Sequence, residues 1–99
     1  MNDQALKYTG IILSDKMVSV WHIATYMALL HLWQQNNKIN PFSISRRKVM
    51  SLARIKSSAT YHKYIQELIQ LGYIRYEPSY HPVSGSSVVL IQAERLIPR

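Results

Sequence analysis

The chain has 99 residues, 47% hydrophobic and 17% charged, enough for one buried core and too few for a second. Twelve Lys and Arg against five Asp and Glu give a net charge of +7, which points to a polyanionic partner or a negative membrane surface. The absence of cysteine excludes disulfides and thiolate metal sites. With only Gly10, Gly72 and Gly85, neither the dinucleotide fingerprint nor the phosphate-binding loop can be written.

Residues 1–13 read as an N-terminal extension. The first fifteen residues carry the acids Asp3 and Asp15 and no apolar run of signal-peptide length, which fits a cytoplasmic protein. Between Lys16 and Lys38 no residue is formally charged. The apolar part, Met17 to Trp33, spans about 25 Å as a helix, short of the ~30 Å hydrocarbon core of a membrane. Ser19, His22, Thr25 and His31 interrupt it, so a long water-soluble helix is expected and no membrane span. On a helical wheel Val20, Ile23, Ala24, Met27 and Leu30 form one stripe, at the spacing of a core-facing side. Trp21, Ala28, Leu29, Leu32 and Trp33 fill the remaining directions, leaving no broad polar face. A helix apolar all round must be covered from more than one side. Either the segment from Tyr8 to Leu13 folds over it, or a second copy meets it in a homodimer seam at Trp21, Ala28, Leu29, Leu32 and Trp33. His22 and His31 lie nine residues apart, not the spacing of paired ligands on one helix face, and no metal is expected.

Asn36, Asn37, Asn40 and Pro41 end this helix with turn chemistry, and Phe42, Ser43 and Ile44 form a short extended link. Ser45 is placed to cap a helix over residues 46–53, with Val49, Leu52 and Ala53 as its apolar contacts. Arg54, Ile55 and Lys56 make a turn. Ser57 or Ser58 caps a second helix, in which Tyr61, Tyr64, Ile65, Leu68 and Leu71 share a face and Gly72 supplies the left-handed terminus. The opposite face carries Ala59, His62, Lys63, Gln66 and Gln70, with Glu67 to one side. After Gly72 the period changes to two: residues 73–77 and 87–91 read as paired strands, joined by a long loop rich in proline and serine.

The charge is concentrated. Residues 1–42 hold Lys7, Lys16 and Lys38 against Asp3 and Asp15, a net of +1, whereas residues 43–99 hold nine cations against Glu67, Glu77 and Glu94, a net of +6. Six of the cations, Arg46, Arg47, Lys48, Arg54, Lys56 and Lys63, lie within residues 43–64 with no acid between them. An ordinary solvated helix interleaves opposite charges; this stretch does not, which favours a polyanion site.

The order of long helix, link, capped helix, tight turn, capped helix and hairpin resembles the winged helix-turn-helix fold of small bacterial DNA-binding regulators. The residues that carry the resemblance run from Ile44 to Ile91, most specifically Ser57 to Leu68 followed by Leu71, Gly72, Tyr73 and Ile74. The resemblance implies a single α+β domain, mainly α: a long N-terminal helix, a helix-turn-helix at residues 44–72 and a two-stranded β wing at residues 73–91. It further implies sequence-specific binding of double-stranded DNA, with base-reading positions at Ser58, Ala59, His62, Lys63 and Gln66. DNA-backbone positions fall at Ser45, Arg46, Arg47, Lys48, Lys56, Ser57 and Thr60. Helix N-termini beside cationic side chains suit phosphate on physical grounds as well. The wing offers Arg75 on its strand and only Tyr80 and His81 near its tip, so it departs from wings that reach DNA with a basic tip.

No pair of carboxylates has the spacing for a divalent metal, and no histidine sits with Ser or Asp as a base beside its nucleophile, so no enzyme is expected. The chain has no room for an effector domain, and no cofactor or small-molecule ligand is expected. The function expected is that of a homodimeric transcriptional regulator. The alternatives are a recombination or excision accessory, a replication-initiation protein of a mobile element, or, in another class, a protein–protein interaction module that meets an acidic partner.

Overall fold

A computed structural model of the chain describes residues 3–77 and 86–91; Tyr80 and His81 of the expected wing tip lie outside them. Among the described residues the chain is a small, mostly helical α+β domain. Its elements are α1 (Asp3–Ser14), α2 (Val20–Gln35), β1 (Phe42–Ile44), α3 (Arg46–Ala53), α4 (Ser58–Gln70), β2 (Ile74–Glu77) and β3 (Ser86–Leu90). The strands form an antiparallel sheet in the order β1-β3-β2, with Phe42 opposite Val88 and Ile74 opposite Leu90. The link at Phe42 to Ile44 is thus a third strand beside the expected pair. Phe42 and Ile44 are buried while Ser43 between them is exposed, the alternation of a half-buried strand.

α2 is the element around which the others pack: it touches α1, α3, α4 and β1. Ser19 caps it through a capping box in which the partner is His22 rather than the usual Glu or Gln. At its other end the Asn36 amide donates to the Leu32 carbonyl at 2.8 Å, and the Lys38 N–H donates to that of Trp33 at 2.9 Å. Asn37 and Lys38 both take left-handed backbone angles there. No helix among the described residues is long and apolar enough to cross a membrane.

The cover of α2 comes from within the chain. Residues 1–13, expected as an extension, contain most of α1, whose Tyr8 and Ile12 are buried; the Tyr8 ring meets Trp33 edge-on at 5.5 Å. Ala28, Leu29, Leu32 and Trp33 are therefore core residues, and the seam expected at them is corrected: they have no surface to offer a second copy. Trp21 alone of that set is exposed, and it stacks on Tyr64 of α4 at 6.3 Å. The stripe expected to face the core is corrected in the opposite sense. Leu30 is buried, but Val20 is 74% exposed, Met27 is exposed, and Ile23 and Ala24 are half-buried.

α3 and α4 fold as their patterns require. Val49 and Ala53 of α3 and Tyr61, Ile65 and Leu68 of α4 are buried, whereas Leu52, expected as a core contact, is exposed and Tyr64 and Leu71 are half-buried. α4 ends in a Schellman arrangement. The Tyr73 N–H donates to the Leu68 carbonyl and the Gly72 N–H to that of Ile69, each at 3.0 Å, with Gly72 at φ 88°. α3 ends the same way, the Ile55 N–H donating to the Met50 carbonyl at 2.9 Å, but there the left-handed residue is Arg54, at φ 62°. Tyr73 then bridges to the N-terminal half: its ring meets Tyr26 at 5.4 Å and its hydroxyl donates to Asp15 at 2.7 Å.

Two outcomes follow from this packing. Trp33→Glu places a carboxylate in the α1–α2 contact and should lower stability by about 3 kcal/mol or more in urea titration, with loss of helix rather than a shift in oligomeric state. Arg54→Gly removes a left-handed strain of about 1–2 kcal/mol, partly offset by the greater freedom of glycine in the unfolded chain, and should raise stability by about 0.5–1 kcal/mol.

Candidate nucleic-acid interface

The two helices with the concentrated cations both begin on a serine in extended backbone. The Ser45 hydroxyl accepts from the Lys48 N–H at 3.1 Å. The Ser57 hydroxyl accepts from the Thr60 N–H at 3.0 Å and donates to the Thr60 hydroxyl at 2.8 Å. Ser57 is thus the cap, and Ser58 is the first residue of α4. Each cap satisfies one N–H of the first turn and leaves others open, the feature that makes a helix start attractive to anions. Ile55 is buried at the turn between the helices and anchors it to the core.

Around α4 the side chains sort into three arcs. Tyr61, Ile65 and Leu68 face the core. Tyr64 and Glu67 face α2: Tyr64 lies between Trp21 and His22, whose ring it meets edge-on at 5.1 Å, and Glu67 is 2.6 Å from His22. Ser58, Ala59, His62, Lys63 and Gln66 share the remaining arc, and all five are exposed. Lys63 lies at the edge of this arc with its ammonium over the Tyr64 ring, 5.4 Å from the centroid. Ser45, Arg46, Arg47, Lys48, Lys56 and Ser57 are exposed beside it, Thr60 is half-buried through its cap, and Arg75 is exposed on β2.

The electrostatic sorting is sharp. Among the described residues, Arg46, Arg47, Lys48, Arg54, Lys56 and Lys63 form no salt bridge, and the Glu67 carboxylate is engaged instead by the His22 ring at 2.6 Å. The carboxylate of α4 is therefore turned away from the exposed arc and consumed in the joint with α2. No three metal-ligating side chains come together among the described residues.

Ser19, His22 and Glu67 have the composition of a nucleophile, base and orienting acid, with 3.0 Å from the Ser19 hydroxyl to Nδ1 and 2.6 Å from Nε2 to Glu67. The Ser19 backbone N–H, however, donates to the same Nδ1 at 2.8 Å, and a backbone N–H can only donate. Nδ1 has one lone pair, already taken, so it has nothing left to accept the hydroxyl proton. The three residues are a helix cap fastened to α4. Sequence reasoning missed this joint because its two halves lie 45 residues apart.

A groove of about 300 Å³ opens where the start of α3, α4 and the β2–β3 pair meet, lined by Ser45, Arg46, Tyr61, His62, Tyr76 and Ser86. Tyr76 and Ser86 share a hydrogen bond at 2.7 Å. Burial, then Tyr76, push the Tyr61 hydroxyl up to about 12 against a smaller opposing pull from Arg46. Burial pushes Tyr26 in the same direction, helped by Tyr8 and Tyr73. Tyr61, Tyr76 and Ser86 were not legible as site residues, since an aromatic at core spacing announces its ring and not its hydroxyl.

Because the folded state holds both phenols neutral past the ordinary value near 10, their contribution is complete below that pH and is lost as pH rises, for Tyr61 between about 10 and about 12. Alkaline unfolding followed by circular dichroism should begin in that window, and Tyr61→Phe and Tyr26→Phe should each move its midpoint upward. At neutral pH, His22→Ala and Glu67→Ala should each cost about 1 kcal/mol, and the double variant less than their sum. Comparison of the chain with protein-family models, curated proteins and solved structures finds no match.

Proposed function

We propose that this chain binds double-stranded DNA with sequence preference, as a winged helix-turn-helix module that regulates transcription. In this reading α3 and α4 are the helix-turn-helix, α4 enters the major groove, and β2–β3 form the wing. The observation that carries it is the concentration, around two serine-capped helices, of six cations that form no salt bridge among the described residues, beside an exposed α4 arc free of acid. A solvated surface gains nothing from keeping its cations unpaired and adjacent; a phosphate backbone rewards that arrangement through counterion release. Ser58, Ala59, His62 and Gln66 are the base-reading set, and Lys63 joins them by leaving its place over Tyr64. Arg46, Arg47, Lys48, Lys56 and the open N–H groups beside Ser45, Ser57 and Thr60 hold the backbone. Arg75 reaches the backbone from the wing.

Fluorescence anisotropy with a mixed-sequence duplex tests this. If about five phosphates are neutralised, log K should fall against log salt with a slope of about −4.5. Arg47→Ala should reduce that slope by about one and weaken all duplexes alike. Gln66→Ala should instead weaken a selected site by about 1–3 kcal/mol while leaving random DNA nearly unchanged. No binding to any duplex at low salt, with retained binding to an acidic protein surface, would replace this reading with that of a protein-interaction module.

A further inference from the structure

The groove between α3, α4 and the sheet contains a donor that the fold itself does not use. Tyr61 is 2% exposed, and its hydroxyl makes no hydrogen bond among the described residues, although the neighbouring hydroxyls are all engaged. Ser45 is occupied by the Lys48 N–H, and Tyr76 with Ser86 satisfy each other while leaving one O–H of the pair free to donate. Arg46 adds a guanidinium that forms no salt bridge among the described residues and, as the first residue of α3, an N–H without an intrahelical partner. His62 closes the other side. Among the described residues, no carboxylate lines the groove. The donors come from α3, from α4 and from the sheet, which suits an anion presenting several oxygens in different directions rather than a planar carboxylate.

We propose that this groove is a phosphate-binding site in which the Tyr61 hydroxyl and Arg46 are the principal ligands. Two sources share this chemistry: a phosphodiester of the DNA backbone, which rests on the function proposed above, and the phosphate of a small molecule, which does not. The backbone source places a phosphate contact at the junction of α4 with the wing and fixes how far the two can rotate on a duplex. The small-molecule source makes the groove a place where an effector competes with DNA.

Tyr61→Phe is the discriminating variant, because it deletes a hydroxyl that holds nothing in the fold and keeps the ring in the core; its melting temperature at neutral pH should match that of the wild type. Tyr64→Phe is the control. Nuclear magnetic resonance titrations of wild type and both variants with inorganic phosphate would be read at the His62 ring, and duplex affinity by anisotropy. A roughly tenfold loss of duplex affinity in Tyr61→Phe alone, with or without a response to inorganic phosphate, supports the site with DNA as the source. A His62 response to inorganic phosphate that Tyr61→Phe abolishes, with duplex affinity unchanged or no duplex binding in any protein, supports the site with a small phosphate ester as the source. In the second of those cases the DNA reading fails and the groove stands. Equal duplex affinity in wild type and Tyr61→Phe, with no His62 response, overturns the site and leaves the DNA reading intact; absence of both duplex binding and the His62 response overturns both.

Discussion

Everything in this fold depends on the need to cover α2. Sixteen residues with almost no polar side cannot be left against water, and a single neighbour shields only part of a helix. The chain meets the requirement with α1 on one flank and with α3, α4 and β1 on the others. Tyr8 and Ile12 of α1 close the flank that carries Trp33, and Tyr73, arriving from the end of α4, closes the one that carries Tyr26. That arrangement also positions the candidate interface. α4 is held to the start of α2 by Glu67 on His22 and by Tyr64 between Trp21 and His22, so its angle is set by the same residues that cap α2.

The consequence is a division of labour between two sides of a small molecule. The apolar groups are spent around α2, and the acid of α4 is spent in the joint with it, so the surface formed by α3, the turn and the outer arc of α4 is left with cations alone. Such a surface is a cost to the free protein, since unrelieved like charges repel. Arg54 adds a second cost, occupying a left-handed position where glycine would be unstrained. Strain and repulsion gathered at one motif fit the proposed binding surface, which would be optimised for a partner rather than for stability. Contact between two copies through α2 would have to use its outer stripe, Val20 and Met27, because Leu29 and Trp33 are inside.

Elements with a strong local signal were legible in the sequence. Ser45 and the spacing of Val49 and Ala53 defined α3 to its observed ends, and Gly72 marked the end of α4 because only a left-handed residue completes that terminus. The strand pair was legible from the change to a two-residue period. The orientation of α2 was not: a helix apolar in every direction has no phase, so its wheel cannot say which side is inside, and apart from Leu30 and Trp21 the inner and outer positions were misassigned. α1 carries its buried positions at Tyr8 and Ile12 without a charge pattern or a breaker to announce a helix. β1 is three residues long, too short for periodicity to register, and becomes a strand only by pairing with β3. At the candidate site, exposure and charge were legible at Arg46, Arg47, His62 and Gln66. The groove and the His22–Glu67 joint were not, since both are made by residues far apart in the chain.

In the proposed function, the exposed arc of α4 and the start of α3 form one surface for duplex DNA. The most direct measurement is amide chemical-shift mapping during titration with a short duplex at low salt. Shifts should concentrate at Arg46, Arg47, Ser58, Ala59, His62 and Gln66, while Leu6 and Leu13 of α1, which packs on α2, stay unmoved. Shifts centred on the α1–α2 side, or no shifts at all, would contradict the proposed function.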